Sequence, residues 1–151
     1  MESSFKQEKK MKTIKEYIQQ KFTCVAPECT VRAAAEEMIR TGVETLFITK
    51  DDEVVGVIGI RDLFTIPIPA SYGGPMKADE EETLLRAWEN TPVEHLMNPH
   101  IISVPENYPL MDAAKVMINE GKHPLAILQG KQLIGILDRR DIVRALLTMV
   151  D

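Results

Sequence analysis

The stretch of sequence that decides the fold reads VRAAAEEMIRTGVETLFI from Val31 to Ile48. It recurs without a gap as LMDAAKVMINEGKHPLAI from Leu110 to Ile127. A second pair of segments, GVIGIRD at 56–62 and GILDRRD at 135–141, keeps the same offset. Repetition on this scale indicates a duplicated supersecondary unit. Because one such unit is too small to bury a sufficient core, we expect the two copies to close on each other and to create two equivalent clefts.

Length and composition favour one compact domain built of two halves, since 151 residues with 44% apolar and 27% charged side chains are typical of a globular protein. A net charge of −5 argues against a nucleic-acid partner, which would need a basic surface. No apolar stretch approaches the roughly 20 residues that span a bilayer. The first twelve residues lack the apolar segment of a secretory signal. We therefore expect a cytoplasmic protein with no membrane contact.

The reactive side chains form no known catalytic or metal-binding pattern. Cys24 and Cys29 lack the spacing of a zinc site or a redox dithiol, and Cys24 alternates into an apolar strand as small core filler. His95 and His100 are not spaced as metal ligands with any cysteine or acidic cluster. No nucleophile constellation and no phosphate-binding glycine loop is found. We expect no catalysis, no metal and no required cofactor.

The sequence pattern of each copy predicts the order strand, helix, strand, strand, helix. In the first copy Thr30 can cap a helix that Gly42 ends. A short helical lead-in segment precedes each copy at the same offset. The predicted elements are lead-in helices at 14–20 and 93–97, strands at 22–25, 46–48, 54–58, 101–104, 125–128 and 133–137, and helices after Thr30, at 109–120 and from 138 onward.

The chain divides at the points where the repetition stops. We predict an N-terminal tail at 1–12, a first copy with its lead-in helix at 13–65, an inserted linker with a short helix at 66–91 and a second copy with its lead-in helix at 92–151. Pro67 and Pro69 cut short the terminal helix of the first copy, and Leu84, Leu85 and Trp88 recur at helical spacing after them. The insertion is either a surface connection with a packing helix or the place of a function special to this chain.

The whole pattern resembles the cystathionine-beta-synthase (CBS) domain pair, also called a Bateman module. The likeness rests on the strand starts Thr23-Cys24-Val25 and Ile102-Ser103-Val104, the repeated A-A-x-x-M-I-x-x-G helices, the two segments ending in Arg-Asp, and Val93-Glu94-His95-Leu96-Met97 leading into the second copy. It covers about Met11 to Val150.

This resemblance implies an α+β (α/β) fold of two β-α-β-β-α repeats packed through their sheets about a pseudo-two-fold axis. It also implies a homodimer without catalytic activity that senses an adenosine-containing ligand. Ligands of that class include AMP, ADP, ATP, S-adenosylmethionine and cyclic di-AMP.

The candidate binding residues lie where each copy's last strand runs into a helix, because N–H groups and the helix dipole favour an anion there. Asp62 and Asp141 match the family's ribose-binding acid, whose two oxygens can accept hydrogen bonds from adjacent hydroxyls. Arg61 and Arg140 precede them and can pair with phosphate. The further candidates are Gly59 and Asp138 before the two turns, Val25, Leu46, Val104 and Leu125 as walls for a purine, and His123 at the cleft rim, where a plain turn role is the alternative.

Both aspartates have an alternative, structural interpretation. An acid in the first turn stabilises a helix without any ligand, Asp138 can be an N-cap, and Asp141 can pair with Arg144. Members of the family that bind ligand usually carry Ser or Thr where this chain has Gly59 and Asp138. Because Asp138 adds a negative charge, we expect the Asp62 cleft to accept phosphates better than the Asp141 cleft.

Two further interpretations remain beside ligand sensing. In the first, the chain is a ligand-free dimerisation or docking module for an unidentified regulated protein. In the second, it is an enzyme with an unrecognised site. In the sensing interpretation, the exposed faces of the terminal helices supply the dimer surface, led by the apolar stripe of the last helix. This stripe consists of Ile142, Val143, Leu146 and Leu147.

Overall fold

The computed structural model describes residues 12–64, 77–121 and 124–150. Its strands are β1 Cys24–Val25, β2 Thr45–Lys50, β3 Glu53–Gly59, β4 Ser103–Val104, β5 Leu125–Gln129 and β6 Gln132–Leu137. Its α-helices are α1 Val31–Thr41, α2 Ala78–Asn90, α3 Leu110–Glu120 and α4 Arg139–Met149. Short 3₁₀ helices cover Lys15–Tyr17, Ile60–Phe64 and Val93–His95. The mixed α+β fold and its order of elements are confirmed, including α2 in the insertion.

The short helices differ in part from the predicted elements. The first copy has the 3₁₀ helix Ile60–Phe64 at the position where the second copy has α4, and the sequence predicts a shortened helix there. The prolines at 67 and 69, and His123 with its predicted rim or turn role, lie outside the described residues. The lead-in helices are single 3₁₀ turns, because the chain becomes extended beyond them and pairs with a strand.

The chain packs as two spatial units, which we call the continuous unit, Thr23–Ile101, and the split unit, residues 12–22 with 102–150. The division differs from that of the sequence repeats. The lead-in segment of the first copy packs in the unit that holds the second copy's strands, and the reverse holds for the other lead-in segment.

The continuous unit is a three-stranded sheet covered by α1. β1 runs parallel to β2, and β2 pairs antiparallel with β3, with Thr45 opposite Gly59. α1 begins where the Thr30 hydroxyl accepts the Ala33 N–H at 3.1 Å, and it ends at Gly42, whose φ of +76° favours glycine. The buried core comprises Val31, Ala34, Met38, Leu46, Ile48, Ile58, Leu63 and Val93.

The split unit repeats this arrangement with α3 and α4. β4 runs parallel to β5, and β5 pairs antiparallel with β6, with Leu125 opposite Leu137. The buried core comprises Ile14, Val104, Leu110, Ala113, Met117, Leu125, Ile127, Leu137, Ile142 and Ala145. Across the described ranges, no helix combines the length and apolarity needed to cross a bilayer.

The two lead-in segments make equivalent contacts in their respective units. Backbone hydrogen bonds join Asn98 to Val57 on β3, at 2.8 and 3.0 Å, and Gln19 to Ile136 on β6, at 2.9 and 3.0 Å. The residue before each paired strand position is a glycine, Gly56 or Gly135. A Cβ on either glycine would overlap the side chain of the lead-in segment. Glycine at these positions allows the close approach of these segments to the strands.

Candidate functional site

The turn that carries Asp62 lies at one edge of the sheet in the continuous unit. In the register of this sheet Cys24 is opposite Phe47, which is opposite Val57. Because β3 runs antiparallel to β1 and β2, its last residue, Gly59, lies beyond the start of β1. The end of β3 and the strand start of β1 therefore share an edge, as a site built from both would require.

Asp62 is half-buried within the 3₁₀ helix Ile60–Phe64. Its Oδ2 accepts the backbone N–H of Gly59 at 2.8 Å, so the carboxylate caps the turn on which it stands. The N–H of Ile60 donates to the carbonyl oxygen of Glu44 at 2.8 Å, which fixes the turn to the start of β2. Arg61 is exposed. A carboxylate with access to solvent and an exposed cation beside it are suited to a hydroxylated, anionic ligand.

Asp141 has a very different environment at the equivalent place in the split unit. Its side chain has no exposed surface. One oxygen, Oδ2, accepts the Asp138 N–H at 2.7 Å and the Gln19 side-chain amide at 2.8 Å. The other, Oδ1, pairs with the guanidinium of Arg144. Both oxygens are thus bound by the protein, and a ribose hydroxyl would have to displace Gln19 or Arg144.

Asp138 and Asp141 together form a reciprocal cap at the start of α4. Asp138 accepts the Arg139 N–H at 2.8 Å while Asp141 accepts the Asp138 N–H. Two carboxylates consequently occupy the end of the helix where a phosphate would bind, and they offset its positive dipole. Arg140 is exposed next to them. This geometry matches the structural interpretation of Asp141.

The apolar candidates divide into exposed and buried members. Val25 is part-exposed and packs against the core of the continuous unit. Leu46 and Leu125 have no exposed surface, and Val104 is 6% exposed. Of these four, Val25 alone offers substantial surface to a ligand within its own unit.

Two polar residues in these surroundings were missed by the sequence reasoning. Gln19, the partner of Asp141, lies on a lead-in segment, and its repeat equivalent Asn98 directs its side-chain oxygen to the N–H of His100 at 2.9 Å. Trp88, on α2, donates its indole N–H to the carbonyl oxygen of Leu63 at 3.0 Å. Trp88 is the chain's sole tryptophan and lies in the insertion, and these two facts could have indicated from the sequence that it matters.

The cysteines and the charged groove along α2 do not form a second site. Burial raises the pKa of the Cys24 thiol, which disfavours the reactive thiolate. Within the described ranges, no three potential metal ligands cluster together. A groove of about 460 Å³ follows α2, and its lining does not include Asp62. Its charges pair with each other, Arg32 with Glu89 and Arg86 with Glu82.

Comparison with known proteins identifies the repeats. The family model described as "CBS domain" matches residues 14–68 and 93–148. An uncharacterized 17.7 kDa protein of Acidianus ambivalens is 31% identical over 125 residues, which is 82% of this chain and 66% of that protein. An uncharacterized protein of Methanocaldococcus jannaschii is 28% identical over 135 residues, which is 87% of this chain. The chain spans less than two thirds of the length of these curated relatives, 66% and 48%.

Solved structures agree with this result. The crystal structure of the CBS-pair protein CBSX2 from Arabidopsis thaliana superimposes with a TM-score of 0.77 at 25% identity, covering 93% of this chain and 97% of that one. A crystal structure of CBSX2 in complex with AMP gives a TM-score of 0.73 at 25% identity, with 92% and 98% coverage.

Proposed function

This chain belongs to the CBS-domain family, and from this premise we propose that it is a regulatory module that binds an adenosine-containing ligand at the Asp62 turn. The observation that carries the proposal is the contrast between the two repeat-equivalent carboxylates. Asp62 is half-buried at the sheet edge and so is accessible to a ligand, whereas the Asp141 side chain has no exposed surface. The AMP complex of CBSX2, a protein 25% identical to this chain, supports adenine nucleotides as the ligand class.

Each part of such a ligand has a counterpart among the residues of the continuous unit. The Asp62 carboxylate accepts hydrogen bonds from adjacent ribose hydroxyls, and the exposed Arg61 guanidinium neutralises a phosphate. Val25 contacts the purine, with Leu46 packed in the core behind the strand. Gly59 supplies no hydroxyl, so phosphate binding depends on Arg61 and backbone groups.

We propose one ligand per chain, since the Asp141 turn disfavours both the sugar and the phosphate. Gln19 and Arg144 occupy the oxygens that a ribose would use, and Asp138 places a second negative charge beside the anion site. Ligand binding then favours one conformation of the module, and a regulated protein senses it by preferring that conformation.

Thermal unfolding with a ligand panel tests the proposal. A ligand at 100 times its dissociation constant stabilises by about 2.7 kcal/mol, which raises the midpoint of a domain of this size by about 5–10 °C. We expect at least one of AMP, ADP, ATP, S-adenosylmethionine and cyclic di-AMP to produce this rise. Asp62→Ala should abolish it. Asp112→Ala is the matched control, because Asp112 is a part-exposed acid in the first turn of α3, and its variant should keep the rise.

Two results would contradict the proposal and favour another interpretation. If no ligand of the panel shifts the midpoint at millimolar concentration, the ligand-free docking module becomes the better interpretation. Measured turnover of a panel member would instead support an enzyme.

We propose that the partner of the exposed apolar surface is a second copy of this chain. On α4, Val143 and Leu147 share a face at helical spacing and are 55% and 65% exposed, and Val150, which follows the helix, is 78% exposed. Ile39 on α1 and Ile118 on α3 are repeat equivalents, and they are exposed to nearly the same extent, 78% and 79%. Exposed apolar side chains of this kind are covered in an isologous contact, in which each copy of the chain uses the same surface.

Light scattering after size exclusion measures the association. We expect a dimer for the natural sequence and a monomer for Leu147→Glu, with unchanged far-UV circular dichroism. Glu120→Lys, at an exposed polar position of α3, is the control and should remain dimeric. A monomeric natural sequence at high micromolar concentration would overturn the homodimer.

A further inference from the structure

We infer that Trp88 is a positioning residue for Asp62, and thus that the inserted helix α2 controls the affinity of the proposed site. The inference rests on the proposed function for its link to ligand binding. Its structural part concerns a single side-chain contact, the hydrogen bond from the Trp88 indole to the residue that follows Asp62.

The segment that carries Asp62 needs support from outside. It is a 3₁₀ helix of five residues, and such helices have poorer hydrogen-bond geometry than α-helices. Its start is held by the Gly59 N–H, which donates to Asp62 at 2.8 Å. The last carbonyls of a helix have no partner within the helix itself. The Trp88 indole N–H supplies one for the Leu63 carbonyl at 3.0 Å, while the Leu63 side chain is 7% exposed in the core.

The indole itself is held by a fixed frame. Trp88 is half-buried and packs against the core of the continuous unit. One turn further along, the Thr91 carbonyl accepts the N–H of Val31, the first residue of α1, at 2.7 Å. The side chains of Arg32 on α1 and Glu89 on α2 form an ion pair across the two helices. α2 therefore presents the indole from a position that is tied to α1.

Loosening this contact should reduce affinity without removing any group from the ligand site. When the indole donor is lost, the Leu63 carbonyl is left without it and the Asp62 turn samples more orientations. A single hydrogen bond of this kind corresponds to about a 3- to 10-fold change in an equilibrium constant. We expect that change in the dissociation constant for AMP.

The experiment compares Trp88→Phe with Met117→Ala in the full chain. Phenylalanine keeps an aromatic ring and removes the N–H donor, whereas Met117 lies in the core of the split unit and its truncation lowers stability elsewhere. Calorimetry measures the AMP dissociation constant, and NMR-detected hydrogen exchange follows the Gly59 amide, which donates to Asp62. Trp88→Phe should weaken AMP binding by about 3- to 10-fold and accelerate Gly59 exchange. Met117→Ala should change neither.

The outcomes separate this inference from the proposed function. AMP binding that is unaffected by Asp62→Ala contradicts the proposed site, and Gly59 exchange still decides whether Trp88 holds the turn. Unchanged Gly59 exchange and unchanged affinity in Trp88→Phe overturn the inference. If that variant does not fold, the natural protein provides the test, since Trp88 is its sole tryptophan. Its fluorescence should change on AMP saturation, and constant emission counts against the inference.

Discussion

Gly135→Ala is expected to destabilise the protein more than the same substitution at the repeat-equivalent Gly56. A Cβ on Gly56 would overlap Cγ and Sδ of Met97, the outer part of an unbranched chain that can rotate away, and would lie 3.1 Å from Met97 Cβ. A Cβ on Gly135 would overlap Ile18 Cγ2 and lie 3.0 Å from the carbonyl oxygen of Gln19. That carbonyl accepts the Ile136 N–H at 3.0 Å, so it cannot retreat without lengthening a hydrogen bond.

The magnitude follows from these contacts. Overpacking a well-filled site costs about 1–3 kcal/mol, and removing a strand glycine returns about 0.5–1 kcal/mol through the unfolded chain. The backbone contact puts Gly135→Ala at the upper end, about 2 kcal/mol net. The flexible contact leaves Gly56→Ala within about 1 kcal/mol of the natural sequence. At about 2–4 °C per kcal/mol, the unfolding midpoint should fall by about 4–8 °C in Gly135→Ala and by less than about 4 °C in Gly56→Ala.

Differential scanning calorimetry of both variants at one protein concentration measures the two midpoints, and urea unfolding checks their order. Holding the concentration fixed is necessary because association shifts the midpoint. Equal losses, or a larger loss for Gly56→Ala, would refute the reasoning that the neighbour's freedom to move sets the cost.

Three further predictions concern the cap, the buried acid and a thiol. Thr30→Ala removes the acceptor of the Ala33 N–H and should lower the free energy of unfolding by about 1 kcal/mol in urea titrations; no loss would contradict the cap. Asp141→Ala strands the amide of Gln19 and should cost about 2–3 kcal/mol by the same measurement, more than Asp62→Ala, and the reverse order would contradict the structural role. Because burial raises the pKa of Cys24, its alkylation at pH 8 should be slower than that of free cysteine and should accelerate in urea, whereas equal rates would exclude a protected thiol.

Periodicity and repetition predicted nearly all the elements, because helix and strand patterns are local. Thr30 and Gly42 bounded α1 as expected, and the helical spacing of Leu84, Leu85 and Trp88 in the insertion is found in α2. The lead-in helices were overestimated, since an apolar run cannot reveal that the chain straightens after one turn to pair with a strand.

The swapped packing of the lead-in segments could not be read from the sequence. Their patterns are equivalent in the two copies, so a strand of either copy would satisfy them equally well. The burial of the apolar stripe on the last helix was likewise only partly predictable from the sequence. Ile142 is 8% exposed in the core, while Val143 and Leu147 are 55% and 65% exposed, because the stripe is wider than the face that its unit can cover.

The difference between the two candidate acids was only half predictable. Gly59 and Asp138 stand at equivalent positions, which already indicated unequal electrostatics. The burial of Asp141 depends on Gln19, which is 122 positions away along the chain. Such a partner is set by the tertiary fold, and no local sequence pattern predicts it.

The split unit also has a consequence for biosynthesis. A ribosome releases residues 12–22 early, then the whole of Thr23–Ile101, and only afterwards the segment that receives the first one. The segment Thr23–Ile101 can fold before the strands that receive residues 12–22 have been made, and Gln19 meets Asp141 only after residue 141 has been synthesised. Products that stop before residue 102 therefore lack the strands against which residues 12–22 pack, and their split unit cannot form.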